Sequence, residues 1–409
     1  MKKFDIPGYY KSSFIGTIKE ARRVKDPRKK DYSPTIIDFS SVKLHLARHF
    51  GFCYGVENAI EISYRTVEEN QGRRVFLLSQ MIHNPVVNAD LRSKGIQFIM
   101  DTKGNHFVEF DELTKDDVVI IPAFGTTVEI EKKLKDIGIQ IERYNTTCPF
   151  VEKVWTASQK LGKLNASVII HGKPSHEETR ATFSHAKENS PSVVISDMKE
   201  AVVLGEMILG KRSMDEFNDR FHGRASEGFN AEEDLVKLGV VNQTTMLASD
   251  THAIAQYYRE VMLEKYGEDQ IKDHFVDTRD TLCYATNDNQ NATLGLLEEP
   301  ADLALVVGGY NSSNTSHLVE LCEDKLPTYF ISGPNELISD SEIRHFMWRT
   351  GERKITKNYI PENRPLRLII TAGASCPDTL VDEVLEKFLG FIESDVKTRE
   401  EVLEALELD

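Results

Sequence analysis

What this 409-residue sequence lacks narrows its function first. No apolar run reaches the roughly 20 residues that a membrane-spanning helix needs, so no membrane partner is expected. The N-terminus has no apolar core of the signal-peptide kind. Its first 31 residues mix ten Lys or Arg with Asp5, Glu20, Asp26 and Asp31, which does not suit a transit peptide either. A cytoplasmic protein is expected, ahead of a plastid-stromal one. Positive charge is in deficit: 50 Lys and Arg stand against 65 Asp and Glu, a net −15, and a nucleic-acid partner would need a basic footprint. There is no GxxxxGK[ST] loop and no GxGxxG fingerprint, so no nucleotide cofactor is indicated. Cysteine is scarce: Cys53, Cys148, Cys283, Cys322 and Cys376. An odd count without a signal peptide does not form a disulfide framework. The absence of any CxxC also excludes the short spacings of zinc ribbons and ferredoxins.

What is present follows a repeated grammar. Short β-branched runs end in small or polar residues and lead into amphipathic helical patterns. Residues 118–124 (VVIIPAF), 166–172 (ASVIIHG), 238–242 (LGVVN), 303–309 (LALVVGG) and 368–371 (LIIT) are such runs. Apolar runs of this length alternating with helices predict buried parallel strands with crossover helices, an α/β fold. In such sheets ligand chemistry gathers outside the carboxyl ends of the strands. The length suggests two to three domains. A charged stretch at about 198–236 interrupts the pattern and reads as a helical insertion with a flexible turn. Residues 1–45 read as a polar extension, a solvated arm or a docking segment, since its first 31 residues carry an excess of 10 − 4 = 6 positive charges.

Three cysteines share a setting. Cys53 lies in HFGFCYGV, Cys148 in NTTCPFV and Cys283 in DTLCYAT. Each is followed by a residue able to open a helix, and a loop before a helix offers free N–H groups and a positive dipole end that favour thiolates and the sulfides of a cluster. The separations, 148 − 53 = 95 and 283 − 148 = 135, leave buried core thiols as the plain alternative. Cys322, inside a helical pattern, reads as core, and Cys376 as a bystander. Several polar groups punctuate the strand ends. His83 and His176 sit in Gly/Pro/Asn-bounded loops, where a protonated imidazole suits a phosphate. Glu178 is placed to supply a proton, or else to complement a helix dipole. Gln243-Thr244-Thr245, Asn311-Ser312-Ser313-Asn314 and Gly373-Ala374-Ser375 each offer small donors at a helix start. That is either a set of ordinary N-caps or a phosphate cradle repeated three times.

Taken in order, GFCYGV, IHNPVV, TCPFV, HEETRATF, NQTTM, CYATNDNQ, VVGGYNSSNTSHL and TAGASCPD resemble the LytB/IspH family of hydroxymethylbutenyl diphosphate reductases, in its long, cyanobacterial and plastid-like form. The resemblance runs from about residue 46 to 391. It implies three α/β domains in a pseudo-threefold trefoil around a cluster: 46–147, 148–282 with the insertion, and 283–395, with the extension 1–45 before them and a tail 396–409 after. It implies a 4Fe–4S cluster on Cys53, Cys148 and Cys283, with one iron lacking a protein ligand and open to the substrate hydroxyl. The implied reaction is reductive dehydroxylation of 4-hydroxy-3-methylbut-2-enyl diphosphate to isopentenyl and dimethylallyl diphosphate, with ferredoxin or flavodoxin as electron donor. By the same resemblance His83, His176, Thr245, Ser312, Ser313, Asn314 and Ser375 bind the substrate, and Glu178 and Thr244 are catalytic. Two departures stand out. Glu177 replaces the proline usual before the catalytic glutamate, which leaves Glu177 and Glu178, and likewise Thr244 and Thr245, as alternatives. Phe124 stands where the short form carries a third histidine. The alternatives to a reductase are a zinc hydrolase using Cys and His, and a cluster-bearing redox sensor without catalysis.

Overall fold

The structure, a computed structural model, describes residues 4–213, 215–392 and 396–408. The parts of the expected segments at residues 1–3, 214, 393–395 and 409 lie outside the described residues. The chain divides into two compact units. The first comprises 1–57, 83–86 and 284–409, and the second 58–82 and 87–283.

In the first unit, strands Thr35–Asp38, Val42–Leu46, Leu366–Ala372, Leu303–Val307 and Thr328–Ile331 form one sheet in that spatial order. The first pair is antiparallel and every other pairing is parallel. Leu303–Val307 is buried along its whole length, as a central parallel strand covered on both faces must be. The helices Ser313–Glu323 and Asp378–Leu389 set their apolar residues, Leu318, Val319 and Cys322 from one and Val381, Val384 and Leu385 from the other, into that core. A hairpin of Glu342–Met347 with Glu352–Lys357 stands beside it.

The N-terminal residues belong to this unit. Strand Val42–Leu46 pairs in parallel with Leu366–Ala372, so the border expected at 45/46 falls within a strand. The helix Ser13–Lys25 buries Phe14, Ile15 and Ile18, and Ser12 caps it through a hydrogen bond from the N–H of Ile15. Phe4 packs edge-on against Tyr54, and Tyr10 against Phe52, the two residues flanking the sulfur-bearing Cys53. A solvated arm is not what residues 4–45 form. Their apolar side chains are few, yet they lie on one face and find the sheet.

The second unit contains two all-parallel sheets. One has the order Gln97–Phe98, Val75–Leu77, Val118–Ile120, and the other Ser192–Ile195, Ser167–His171, Leu238–Asn242, Phe275–Val276. Ser167–His171 and Leu238–Asn242 are buried throughout, and their carboxyl ends carry the candidate residues His176 and Thr244 in the next loops. The stretch expected as an insertion opens with an ordinary crossover helix, Met198–Ile208, packed on the sheet through Ala201, Leu204 and Met207. A short helix, Glu216–Phe221, adds Phe217 and Phe221 to the same core. The charge of this stretch is on its exposed side only. No helix among the described residues is long and apolar enough to cross a membrane.

Candidate active site

All five cysteines are free, and the fold sorts them into two kinds. Cys322 and Cys376 are fully buried. Burial pushes the Cys322 thiol up to about 12 and the Cys376 thiol higher still, so both are inert core groups. Cys53, Cys148 and Cys283 are only partly buried, and each is the residue immediately before a helix: Tyr54–Glu69, Pro149–Lys163 and Tyr284–Leu296. Their own backbone N–H groups are tied down, Cys53 to the Ala374 carbonyl (3.2 Å), Cys148 to Ala123 (2.9 Å) and Cys283 to Thr244 (3.2 Å). The thiol of Cys148 is raised by burial, while the N–H groups of Phe150 and Val151 pull the other way; the charge of Glu178 adds to the rise. Backbone donors aimed at a sulfur are what a metal-bound thiolate needs. At Cys148 the N–H groups of Phe150 and Val151 fill that role. Among the described residues no three His, Cys, Asp or Glu side chains are grouped so as to hold a single metal ion.

In the second unit Glu178 is the most unusual group. It is the second residue of the helix Glu177–Lys187, and its side chain is fully buried. Its carboxylate accepts two hydrogen bonds from one residue, from the Thr244 N–H at 2.5 Å and the Thr244 hydroxyl at 2.9 Å. Burial pushes its pKa up to about 7 even though both bonds favour the charged form. The alternatives left open by the sequence separate here. Thr245 accepts from the Gln243 amide instead, and Glu177 turns the other way to take the Ser79 hydroxyl. The paired group is Glu178 with Thr244.

His176 caps the same helix. Its Nδ1 accepts the Glu178 N–H at 3.2 Å. A backbone N–H can only donate, so that nitrogen carries no proton, and the ring presents Nε2–H as a neutral donor. The protonated imidazole expected at His176 is thus not what this cap holds. Phe124 packs edge-on against it with ring centroids 5.6 Å apart. Gly125, at φ +75°, turns the chain beside it, and a Cβ there would stand 2.7 Å from the Trp155 ring.

The first unit gathers His83, Ser312, Ser313, Asn314 and Ser375. Ser312 is the N-cap of Ser313–Glu323: its oxygen accepts the Thr315 N–H (3.2 Å) and hydroxyl (2.9 Å), which leaves its own proton to donate. Ser375 donates to the His83 carbonyl at 3.3 Å. The Asn314 carbonyl oxygen is taken by the Ala374 N–H (2.9 Å) and the Asn289 amide (3.3 Å), so its NH₂ group faces away as a buried, unpartnered donor. Ser313 Oγ is also buried without a partner. Thr315 fits so closely under the two strand ends that a Cβ at Gly308 would be 2.6 Å from its hydroxyl, and one at Gly373 would run into it. A cavity of about 260 Å³ adjoins Cys53, with Lys19, Arg23, Lys29 and Arg48 on its walls. The sequence reading did not single these cations out individually.

The fold is that of an α/β protein, with three open loop cysteines, a buried acid and hydroxyl-rich helix starts. The LytB protein family profile matches residues 44–389, and the chain belongs to that family. It is 39% identical over 386 residues to the 4-hydroxy-3-methylbut-2-enyl diphosphate reductase of Parasynechococcus marenigrum, covering 94% of this chain and 92% of that one. It is 38% identical over 382 residues to the protein of the same name from Prochlorococcus marinus strain NATL1A, covering 93% and 90%. Its fold is that of the E-1-hydroxy-2-methyl-but-2-enyl-4-diphosphate reductase from Plasmodium falciparum, with a TM-score of 0.62 at 20% identity over 89% of this chain and 98% of that one.

Proposed function

We infer that this chain is a 4-hydroxy-3-methylbut-2-enyl diphosphate reductase. It converts its allylic alcohol diphosphate, two electrons and two protons into isopentenyl or dimethylallyl diphosphate and water. The observation that carries the chemistry is Glu178, a buried carboxyl that keeps its proton near neutrality and is clasped by Thr244. An acid poised near the working pH is what protonating a poor leaving group requires. Glu178 passes its proton to the departing hydroxyl oxygen, and the Thr244 hydroxyl holds the carboxyl in place and relays it. When bound on Cys53, Cys148 and Cys283, a 4Fe–4S cluster supplies single electrons and one iron open to the substrate oxygen. His83, His176, Ser312, Ser313, Asn314 and Ser375 hold the diphosphate. His176 does so through a neutral N–H, and Thr245 acts by steadying the loop of Thr244. Binding energy from the diphosphate, remote from the reacting carbon, is thereby converted to orientation. Ferredoxin or flavodoxin delivers the electrons, and the cavity beside Cys53, where Lys19, Arg23, Lys29 and Arg48 outnumber Glu20 and Asp288, offers a contact for the acidic surface of such a donor.

The test is anaerobic turnover of 4-hydroxy-3-methylbut-2-enyl diphosphate with a chemical reductant, on protein whose iron and sulfide have been quantified. Formation of both five-carbon diphosphates is expected. A full cluster without product would rule the activity out.

A further inference from the structure

Resting on that reading, we propose that His317 is an additional diphosphate-binding residue, supplying a ring nitrogen beside Ser313 and Asn314. Three residues of the helix Ser313–Glu323 bury polar atoms that meet no partner in the protein: Ser313 Oγ, Asn314 Nδ2 and His317 Nε2. They are 3%, 4% and 5% exposed, so solvent does not satisfy them. A buried polar atom left unmatched costs on the order of 1–3 kcal/mol, and three within one turn mark a place built for a polar ligand.

Their placement follows from helix geometry. Positions 313 and 317 are four apart and 314 and 317 three apart, so all three share one face. Helical side chains lean back over the preceding turn, which lays the His317 ring over Ser313 and Asn314. The apolar residues of the helix, Leu318, Val319 and Cys322, belong to the core, with Leu318 bordering the polar set at Asn314 and Val319 and Cys322 turned away from it.

The ligand class follows from the donors. Asn314 is fixed as a donor because both bonds to its carbonyl oxygen come from N–H groups, those of Ala374 and Asn289. The His317 Nδ1 lies 3.1 Å from the Glu320 carboxylate, to which it donates, so Nε2 is the end left for a ligand. The Glu320 carboxylate that takes the Nδ1–H is itself 3.7 Å from Arg349. A hydroxyl, an amide NH₂ and an imidazole ring nitrogen, at the positive end of an 11-residue helix, match the several oxygens of a diphosphate. Nothing in this set would select an apolar or cationic group.

Anaerobic calorimetric titration of the cluster-loaded enzyme with inorganic diphosphate tests the assignment, with steady-state kinetics alongside. His317→Leu removes the ring nitrogen. It should weaken diphosphate binding and raise KM by roughly tenfold to a hundredfold, the worth of a charge-assisted hydrogen bond, with kcat within about twofold. His317→Gln keeps an N–H donor near the position of Nε2 and should lose only about threefold. Wild-type affinity in the Leu variant, an equal loss in the Gln variant, or no diphosphate binding by the wild type would each overturn the proposal. If the Leu variant does not fold, His317→Ala takes its place. Failure of the wild type to turn over the alcohol substrate would count against the reductase reading and not against the diphosphate titration.

Discussion

Glu178 holds its proton at neutral pH because its position in the helix Glu177–Lys187 leaves it no water, and the two bonds from Thr244 offset only part of that cost. The folded chain therefore binds this proton more tightly than the unfolded chain, where the carboxyl releases it near 4.5. Stability contributed at this position is present at low pH and is lost as pH rises from about 4.5 to about 7, by on the order of 3 kcal/mol. Two outcomes follow for Glu178→Gln. Relative to the wild type, the variant should gain stability across that window and no more above it, as urea titrations at several pH values would record. Its kcat should fall about 100- to 10,000-fold with KM nearly unchanged, and wild-type kcat should decline as pH climbs through about 7, since the acid form is the working one. Turnover close to wild type in the variant would remove Glu178 from the chemistry. This residue was legible in the sequence as one of a pair. Only its partner, Thr244, separates it from Glu177.

At the level of elements, the fold repeatedly ends a buried strand in a loop and starts a helix within a few residues. The clearest case is the helix Ser313–Glu323, seated under the ends of Leu303–Val307 and Leu366–Ala372 by Thr315, against which Gly308 and Gly373 have no room for a Cβ. Gly373→Ala must push that first turn outward and displace Ser313 and Asn314 with it. A cost of about 1–3 kcal/mol in unfolding free energy is expected from the overpacking. A rise of at least tenfold in KM should accompany it, with kcat less affected, if the displaced groups hold the diphosphate as proposed. Unchanged KM in a destabilised variant would mean that the helix start is structural only. The cysteines show the same design from the other side. Each was readable from its surroundings, Gly51 and Gly55 about Cys53, Pro149 after Cys148 and Asp280-Thr281 before Cys283, because a loop opening a helix has a signature in Gly, Pro and small polar residues. His317 was not readable, because a histidine in mid-helix looks the same whether it packs, caps or binds.

The whole molecule bears on electron delivery through its N-terminal residues. Several of their positive charges are engaged within the first unit: Lys19 with Asp378 at 2.7 Å, Arg22 with Asp31 at 2.7 Å, Arg23 with Glu20 at 2.5 Å. Burial of Phe14, Ile15 and Ile18 stabilises the unit by about 1.5–3 kcal/mol each, so deleting the segment would unfold its surroundings rather than isolate a docking effect. Charge reversal is the cleaner experiment. Arg23→Glu with Lys29→Glu, both beside the cavity at Cys53, should raise KM for ferredoxin several-fold and flatten its salt dependence, while rates with a small chemical reductant stay as in the wild type. Equal ferredoxin kinetics in wild type and variant would place the donor elsewhere.

The sequence alone determined the α/β class, the three loop cysteines, the polar helix starts and the family, because each depends on residues close together along the chain: a β-branched run, a turn, the residue that opens a helix. Which strands pair was decided only in three dimensions, as with Leu46, whose partner is Ile370. So was the fate of the N-terminal residues, whose sparse apolar side chains acquire meaning only once a sheet is there to cover. The bonds that pair Glu178 with Thr244 and turn Glu177 to Ser79, and the three unmatched polar atoms on the helix Ser313–Glu323, are tertiary in the same sense. Each rests on a hydrogen bond made or left open, and a hydrogen bond depends on distance and direction in space, which separation along the chain does not encode.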